Sequence, residues 1–238
     1  LTVVLIIGFL GYIFFSYSRR AEQNKVWVGL AKETAHQLGT PLSSLTAWVE
    51  ILRNEPLINP DIVTELGKDI QRLDTITTRF SNIGSIPVLK EENLLELISS
   101  FINYLKIRIS TKVTIDIQSS LLPNQSANIN KYLFEWVIEN ICKNGVDAMG
   151  GTGQIHIHLL EGKLNQLVIE ISDSGKGISP KNTSKIFSPG FSTKKRGWGL
   201  GLTLAKRIVE NYHEGKLTLK STELNKGSTF RIVLPKPS

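Results

Sequence analysis

The sequence predicts an α+β protein in three parts: an apolar N-terminal helix, an amphipathic helical hairpin, and a C-terminal domain of strands and helices. Three observations carry this. Residues 1–18 contain no charged side chain. Residues 28–83 repeat apolar side chains at helical spacing, with one interruption rich in Asn and Pro. Beyond residue 90, stretches of helical period mix with short runs of period two.

Leu1 to Ser18 is followed at once by Arg19 and Arg20. Eighteen helical residues span about 27 Å, close to a bilayer core of roughly 30 Å. Tyr12 and Tyr17 suit an interface, and the arginine pair marks a cytoplasmic end. A secretory signal would carry its basic residues before the apolar run, the reverse of this polarity. A transmembrane helix is therefore expected, with the remainder of the chain in the cytoplasm. The chain begins at Leu1 and not at Met, so an upstream part is expected as well.

From Val28 the apolar positions are Val28, Ala31, Ala35, Leu38, Leu42, Leu45, Val49 and Leu52, a heptad seam. Asn54-Glu55-Pro56 ends this helix, and Asn59-Pro60-Asp61 opens the next. The second helix places Ile62, Leu66, Leu73, Ile76, Phe80 and Ile83 on a similar seam, with Asp69 at one seam position and Ile70 beside it. A lone hairpin buries two seams poorly, so a dimeric four-helix bundle is the natural solution. Packing of the pair on the C-terminal domain is the alternative.

In the C-terminal part, 94–109 reads as a helix, 112–118 as a strand and 130–149 as a helix. Strands follow at 154–160 and 167–172, joined by a Gly-Lys turn. A helix over 200–212 and strands at 216–220 and 228–234 close the domain. The elements do not alternate strictly, so a mixed sheet covered by helices on one face is expected rather than a doubly wound sheet. The stretch 175–201 is rich in Gly, Ser, Lys and Pro, and is either a functional lid or disordered.

Composition narrows the chemistry. One cysteine, Cys142, excludes an intrachain disulfide framework and a cysteine zinc site. The four histidines show no metal-ligand spacing with it. Lys and Arg number 28 against 21 Asp and Glu, a net charge of +7. The basic residues are scattered, so nucleic acid is not an expected partner.

Four features of the C-terminal domain remain. Asn140 and Asn144 lie one helical turn apart, and their amide oxygens either help hold a hard cation beside phosphate or do nothing. Asp173-Ser-Gly175-Lys-Gly177 follows a strand. It is either a tight turn or an acceptor for an exocyclic amine, with glycines that let a flat base approach. Gly197-Trp-Gly199-Leu200-Gly201 leads into a helix whose N-terminus favours anions. It is not a P-loop, since no G-x-x-x-x-G-K-[ST] occurs, and no parallel βαβ unit precedes it. Between these, Phe187 and Phe191 are candidate anchors, while Lys194, Lys195 and Arg196 are candidate contacts to a triphosphate or a plain solvated loop.

The order and spacing of these features resemble the bacterial sensor histidine kinases over nearly the whole chain. His36-Gln37-Leu-Gly-Thr40-Pro41-Leu looks like the H box. Asn140 and Asn144 resemble the N box, Asp173, Gly175 and Gly177 the G1 box, Phe187 to Phe191 the F box, and Gly197, Gly199 and Gly201 the G2 box. The resemblance implies a membrane segment (1–20), a dimerisation and phosphotransfer hairpin (21–86) and a Bergerat-type ATP-binding domain (87–238). It implies that His36 is phosphorylated from Mg-ATP and that Asp173 reads adenine. Asn140 and Asn144 would hold Mg²⁺, and Lys143, Phe187, Lys194, Leu200 and the Gly197, Gly199 and Gly201 backbone would line the nucleotide. The hinge is expected near Ser85-Ile86-Pro87. The family acts as a homodimer at the inner membrane and passes phosphate to an aspartate of a response regulator.

Two departures stand out. The family's common acidic residue after the histidine is Gln37 here, which can accept a hydrogen bond from the ring but cannot take its proton. Slow autophosphorylation is expected, and the phosphatase role that the resemblance implies for Thr40 is weakened. Related hydrolases carry a glutamate where this chain has Asn140, so simple ATP hydrolysis is expected to be poor. Only about Arg20 to Val26 separates the apolar helix from the heptads, too little for a relay module. Two other readings stay open: a Bergerat-type ATPase independent of His36, and a non-catalytic membrane adaptor, for which Gln37 is the support.

Overall fold

The computed structural model describes residues 42–55, 58–83, 87–163, 165–194 and 199–237, with positions 8, 9, 11 and 38. His36, Gln37, Thr40, Pro41 and Gly197 lie outside the described residues, as does most of 1–18. Among the described residues no helix is long and apolar enough to cross a membrane. The chain forms two units, Leu1–Pro87 and Val88–Ser238.

In the first unit, residues 42–53 are helical (α1) and a second helix, α2, runs Pro60–Ile83. Asn59 starts α2: its Oδ1 accepts from the Asp61 amide at 2.9 Å, and proline follows where no donor is needed. Leu42, Val49, Val63 and Ile70 form one buried cluster, with Leu52 and Ile58 packed against it. Gly67 lies beside this cluster, where a Cβ would make ordinary contact with Val49 Cγ1 at 3.8 Å.

The expected seam of α2 lies outside this cluster. Ile62, Leu66 and Leu73 do not face α1; they are 64%, 39% and 47% exposed, and Asp69 is exposed beside them. On α1, Leu45, Trp48 and Ile51 are exposed, as is Leu38 before it. α2 carries two adjacent apolar stripes. The Val63–Ile70 stripe covers α1, and the Ile62–Leu66–Leu73 stripe stays outside.

The second unit opens with strand β1 (Lys90–Asn93) and helix α3 (Leu94–Lys106), then strands β2 (Val113–Ser119) and β3 (Ser126–Ile129) and helix α4 (Lys131–Ala148). Strands β4 (Gly153–Glu161) and β5 (Gln166–Asp173), short helix α5 (Pro180–Thr183) and helix α6 (Gly201–Arg207) follow. α6 continues as a wider helical turn over Ile208–Tyr212, and strands β6 (Lys216–Glu223) and β7 (Gly227–Pro235) complete the unit.

The five-stranded sheet has the order β2-β4-β5-β7-β6, parallel between β2 and β4 and antiparallel elsewhere. β1 and β3 form a separate antiparallel pair. That pair escapes sequence reading because KEEN has no apolar side chain and SANI, though it alternates, is only four residues long. One sheet face buries Ile155, Ile157, Leu159, Leu167, Ile169, Ile171 and Ile232. The buried residues of α3, α4 and α6, among them Ile98, Phe134, Ile138 and Ala205, complete this core.

Glu170 is the exception on the other face. It is buried, with Lys220 Nζ at 2.8 Å and Arg231 Nε and Nη2 at 2.9 and 2.6 Å. Burial alone would raise its pKa, but the two cations hold it below the ordinary carboxylate value.

Asn130 caps α4 and ties it to the rest of the unit. Its Oδ1 accepts from the Leu133 amide at 3.2 Å, and its Nδ2 donates to the Val88 carbonyl at 3.1 Å. Its own amide donates to Nε2 of buried His213 at 3.0 Å, while His213 Nδ1 donates to the Ile208 carbonyl at 2.8 Å. Those partners require the neutral ring, and burial lowers the pKa of His213. The unfolded chain then binds the extra proton below about pH 6.5, so stability is full above that value and falls as pH drops. Urea midpoints at pH 7.5 and 5.5 are expected to show this fall. His213→Gln is expected to be about 1–3 kcal/mol less stable at pH 7.5, with a smaller pH dependence. An equal pH dependence in both proteins would remove His213 as its source.

Candidate functional site

The C-terminal half of α4 packs against the end of β5, and its side chains supply most of the site. Gly145 makes this contact possible, because a Cβ there would lie 3.0 Å from Asp173 Cβ. Asn140 and Asn144 sit one turn apart on this helix. Asn140 Nδ2 donates back to the Trp136 carbonyl at 3.0 Å. Its Oδ1 faces the start of α6, where a Cβ on Gly201 would come within 2.9 Å. Cys142 lies between them, buried, its thiol pushed up to about 12 by burial and by the nearby Glu139 carboxylate. It is a packing residue rather than a nucleophile.

Asp173 is the last residue of β5, and its Oδ1 accepts from the Gly175 amide at 2.9 Å. Burial raises its pKa, while backbone amides of Gly175 and Ser228 act the other way. The glycines after it serve the protein's own packing. A Cβ on Gly175 would lie 2.8 Å from the Ala148 carbonyl carbon. At Gly177, φ is +69° and a Cβ would lie 2.2 Å from the Glu223 carbonyl oxygen. The side of each glycine where a Cβ would stand is occupied by the end of α4 and by the end of β6. The amides of Lys176 and Asn225 seal these contacts through the Ala148 and Lys176 carbonyls, at 3.1 and 2.9 Å.

The segment after Gly177 is ordered over much of its length by apolar anchors. Ile186 is buried, and the Phe187 ring stands edge-on to Phe230 with centroids 6.3 Å apart. Lys206 Nζ lies 4.9 Å above the same ring, and Thr203 Oγ1 donates to the Phe187 carbonyl at 3.1 Å. Gly190 donates to the Gly199 carbonyl at 3.2 Å, which brings the two ends of the remaining loop together. Gly199 needs its φ of +65°, and a Cβ there would lie 2.4 Å from the Gly190 carbonyl carbon. Leu200 starts α6 by accepting from the Leu204 amide at 2.8 Å.

Lys194 reaches from this segment to α4. Its Nζ donates to Asn144 Oδ1 at 2.8 Å and to Asp147 Oδ2 at 2.5 Å. Asp147 belongs to the site although sequence reasoning assigned it no role; its spacing of three from Asn144 was the available signal. Lys143 differs from the expectation: it pairs with Glu139 at 2.6 Å, beside the asparagines and not with them.

The donor set suits a hard cation. Asn144 and Asp147 already converge on one positive charge, through oxygen atoms alone. Among the described residues no group of three or more His, Cys, Asp or Glu could hold a metal. A divalent ion here therefore depends on amide oxygens and on oxygens carried by its own ligand.

Residues 130–238 match the family model described as the histidine kinase-, DNA gyrase B- and HSP90-like ATPase. Sporulation kinase C of Bacillus subtilis is 27% identical over 221 residues, covering 92% of this chain and 51% of that protein. Sensor histidine kinase ZraS of Salmonella typhimurium is 27% identical over 225 residues, covering 91% of this chain and 47% of that protein. The chain thus spans about half the length of these curated relatives. The nucleotide-free catalytic domain of histidine kinase ThkA superposes with a TM-score of 0.55 at 29% identity, covering 62% of this chain and 95% of that one. ThkA in complex with the response regulator protein TrrA superposes with a TM-score of 0.58 at 22% identity, covering 95% of this chain and 66% of that one, a likeness of fold.

Proposed function

We propose, for a chain that belongs to the sensor histidine kinases and carries their ATPase domain at its C-terminal end, that it transfers the γ-phosphoryl group of Mg-ATP to His36. The observation that carries this is the placement of Asn140, Asn144 and Asp173 where α4 meets β5, with Lys194 reaching Asn144 and Asp147 from the anchored segment. Asp173 accepts the adenine amine, and Lys194 with the start of α6 meets the phosphates. Asn140 and Asn144 hold Mg²⁺, which supplies charge neutralisation of the phosphate oxygens.

His36 attacks as neutral imidazole, which an ordinary pKa of about 6.5 makes plentiful near pH 7. A ring nitrogen forms the N–P bond as the bond from phosphorus to the β,γ-bridging oxygen breaks, and ADP leaves. The other ring N–H donates to Gln37, which fixes the tautomer, and its proton passes to solvent. Phosphate then moves to an aspartate of a response regulator, a reading supported by the partner of ThkA. The exposed stripes on α1 and α2 suit a second copy of this chain, giving a homodimeric four-helix bundle. Residues 1–18 anchor the dimer in the inner membrane, with the ATPase domain cytoplasmic.

The test is phosphoryl transfer from γ-labelled Mg-ATP to the full chain. Label that is acid-labile and alkali-stable is expected, and it is lost in both His36→Ala and Asn144→Ala. Gln37→Glu is expected to speed labelling about tenfold or more by restoring a base. Free phosphate released equally by His36→Ala would favour an ATPase instead.

A further inference from the structure

Lys194 bonds with the same Asn144 oxygen assigned above to the metal. Its amide donates to Ser192 Oγ at 3.1 Å, a local turn that orients the side chain. Its ammonium spans Asn144 and Asp147, which lie three residues apart on one face of α4. An amide oxygen bound to a divalent ion at about 2.1 Å cannot also hold an ammonium on the same side, because the two cations repel at that range.

We propose that Lys194 is a place-holding clasp: bound to Asn144 and Asp147, it occupies the cation position of the nucleotide site and must leave before the metal-bearing triphosphate enters. This rests on the nucleotide reading given above. Asp147 then restrains nucleotide entry, because its carboxylate favours the clasped state. Arrival of the metal and phosphate exchanges one cation for another at Asn144 and frees Lys194 to turn to the phosphates. The same side chain is a lock before binding and a ligand after it. The side chains of Lys194 and Asp147 are 41% and 54% exposed, so the pair is partly screened and the lock is a modest one.

The direction of the effect separates this role from direct metal assistance by Asp147. Asp147→Asn loosens the clasp but keeps Lys194 for the phosphates, so nucleotide should bind more tightly. A metal ligand would give the opposite sign. If a clasped fraction of one half to four fifths is removed, the apparent affinity rises about two- to fivefold. The gain should shrink at high salt.

The experiment is calorimetric titration of the full chain with Mg²⁺ and the non-hydrolysable analogue AMPPNP. It compares the parent, Asp147→Asn, Lys194→Met and the double variant. Asp147→Asn is expected to bind two- to fivefold more tightly than the parent, while the Asp147 substitution has no effect once Lys194 is Met. Acylation of Lys194 in the nucleotide-free protein, followed by mass spectrometry, should be at least twofold faster in Asp147→Asn. Binding by the parent with an unchanged or weaker affinity in Asp147→Asn would overturn the clasp and leave the nucleotide site standing. A tighter Asp147→Asn that stays tighter in the Lys194→Met background would overturn it too. No binding by the parent would overturn the nucleotide reading itself and the clasp with it.

Discussion

Asp173→Asn is expected to weaken Mg-ATP binding by about 10- to 150-fold, the loss of a hydrogen bond to a charged group. Its strength follows from the backbone around the carboxylate. Gly175 and Ser228 direct amide hydrogens at Asp173. A carboxylate has acceptor capacity left for the adenine amine. An asparagine has one acceptor oxygen and one donor nitrogen, so a donor meets a donor somewhere in this set. Titration with the adenine and guanine nucleotides measures it: the parent prefers adenine, and the variant loses most of that preference. Because burial raises the pKa of Asp173, the parent should also lose affinity on acidification at a higher pH than an ordinary aspartate would require. An unchanged adenine preference in the variant would remove Asp173 from base recognition.

Gly227→Ala is expected to destabilise the second unit by about 3 kcal/mol or more. Gly227 has φ of +113°, and a Cβ there would sit 1.8 Å from the Asp173 carbonyl oxygen. Backbone, not a movable side chain, fills the space, so β7 would have to part from β5. Strain at that φ and overpacking each contribute about 1–3 kcal/mol. In a unit of this size, a loss near 3 kcal/mol lowers Tm by roughly 6–12 °C. Gly150→Ala is the control: φ is +64°, but nothing lies within 4 Å of its Cβ position. It should cost about 1 kcal/mol. Thermal unfolding followed by circular dichroism compares the three proteins. Equal midpoints for the two variants would mean that the contact at Asp173 yields without strain. The gap between them also predicts function, since the Gly227 contact is to the residue assigned to adenine.

The elements of the second unit are legible because their causes are local. β4 and β5 alternate apolar and polar side chains, and Asn93 and Asn130 stand where helix caps belong. The spacing of Asn140, Asn144 and Asp173 is likewise carried by sequence alone. β1 and β3 are not legible, because KEEN has no apolar side chain and the alternation of SANI is too short to tell from chance; pairing with each other holds them. The wider turn at 208–212 does not show in the sequence; His213 just beyond it bonds with Ile208 and, across the unit, with the cap of α4.

Sequence by itself determined that strands and helices of these lengths would form, that one face of each would be apolar, and that the site's candidate residues would recur in a set order. Tertiary structure alone decided which apolar stripe of α2 covers α1, because both stripes have the same period. It decided that Gly175 and Gly177 yield space to Ala148 and Glu223, a fact set by chains far apart in number. It decided that Glu170 is buried between Lys220 and Arg231, which meet it only through pairing across β7. And it placed Lys194 on Asn144 and Asp147, fifty and forty-seven residues away. Local propensity acts over a few residues, whereas a binding site is made of charges that only chain closure brings within hydrogen-bonding distance.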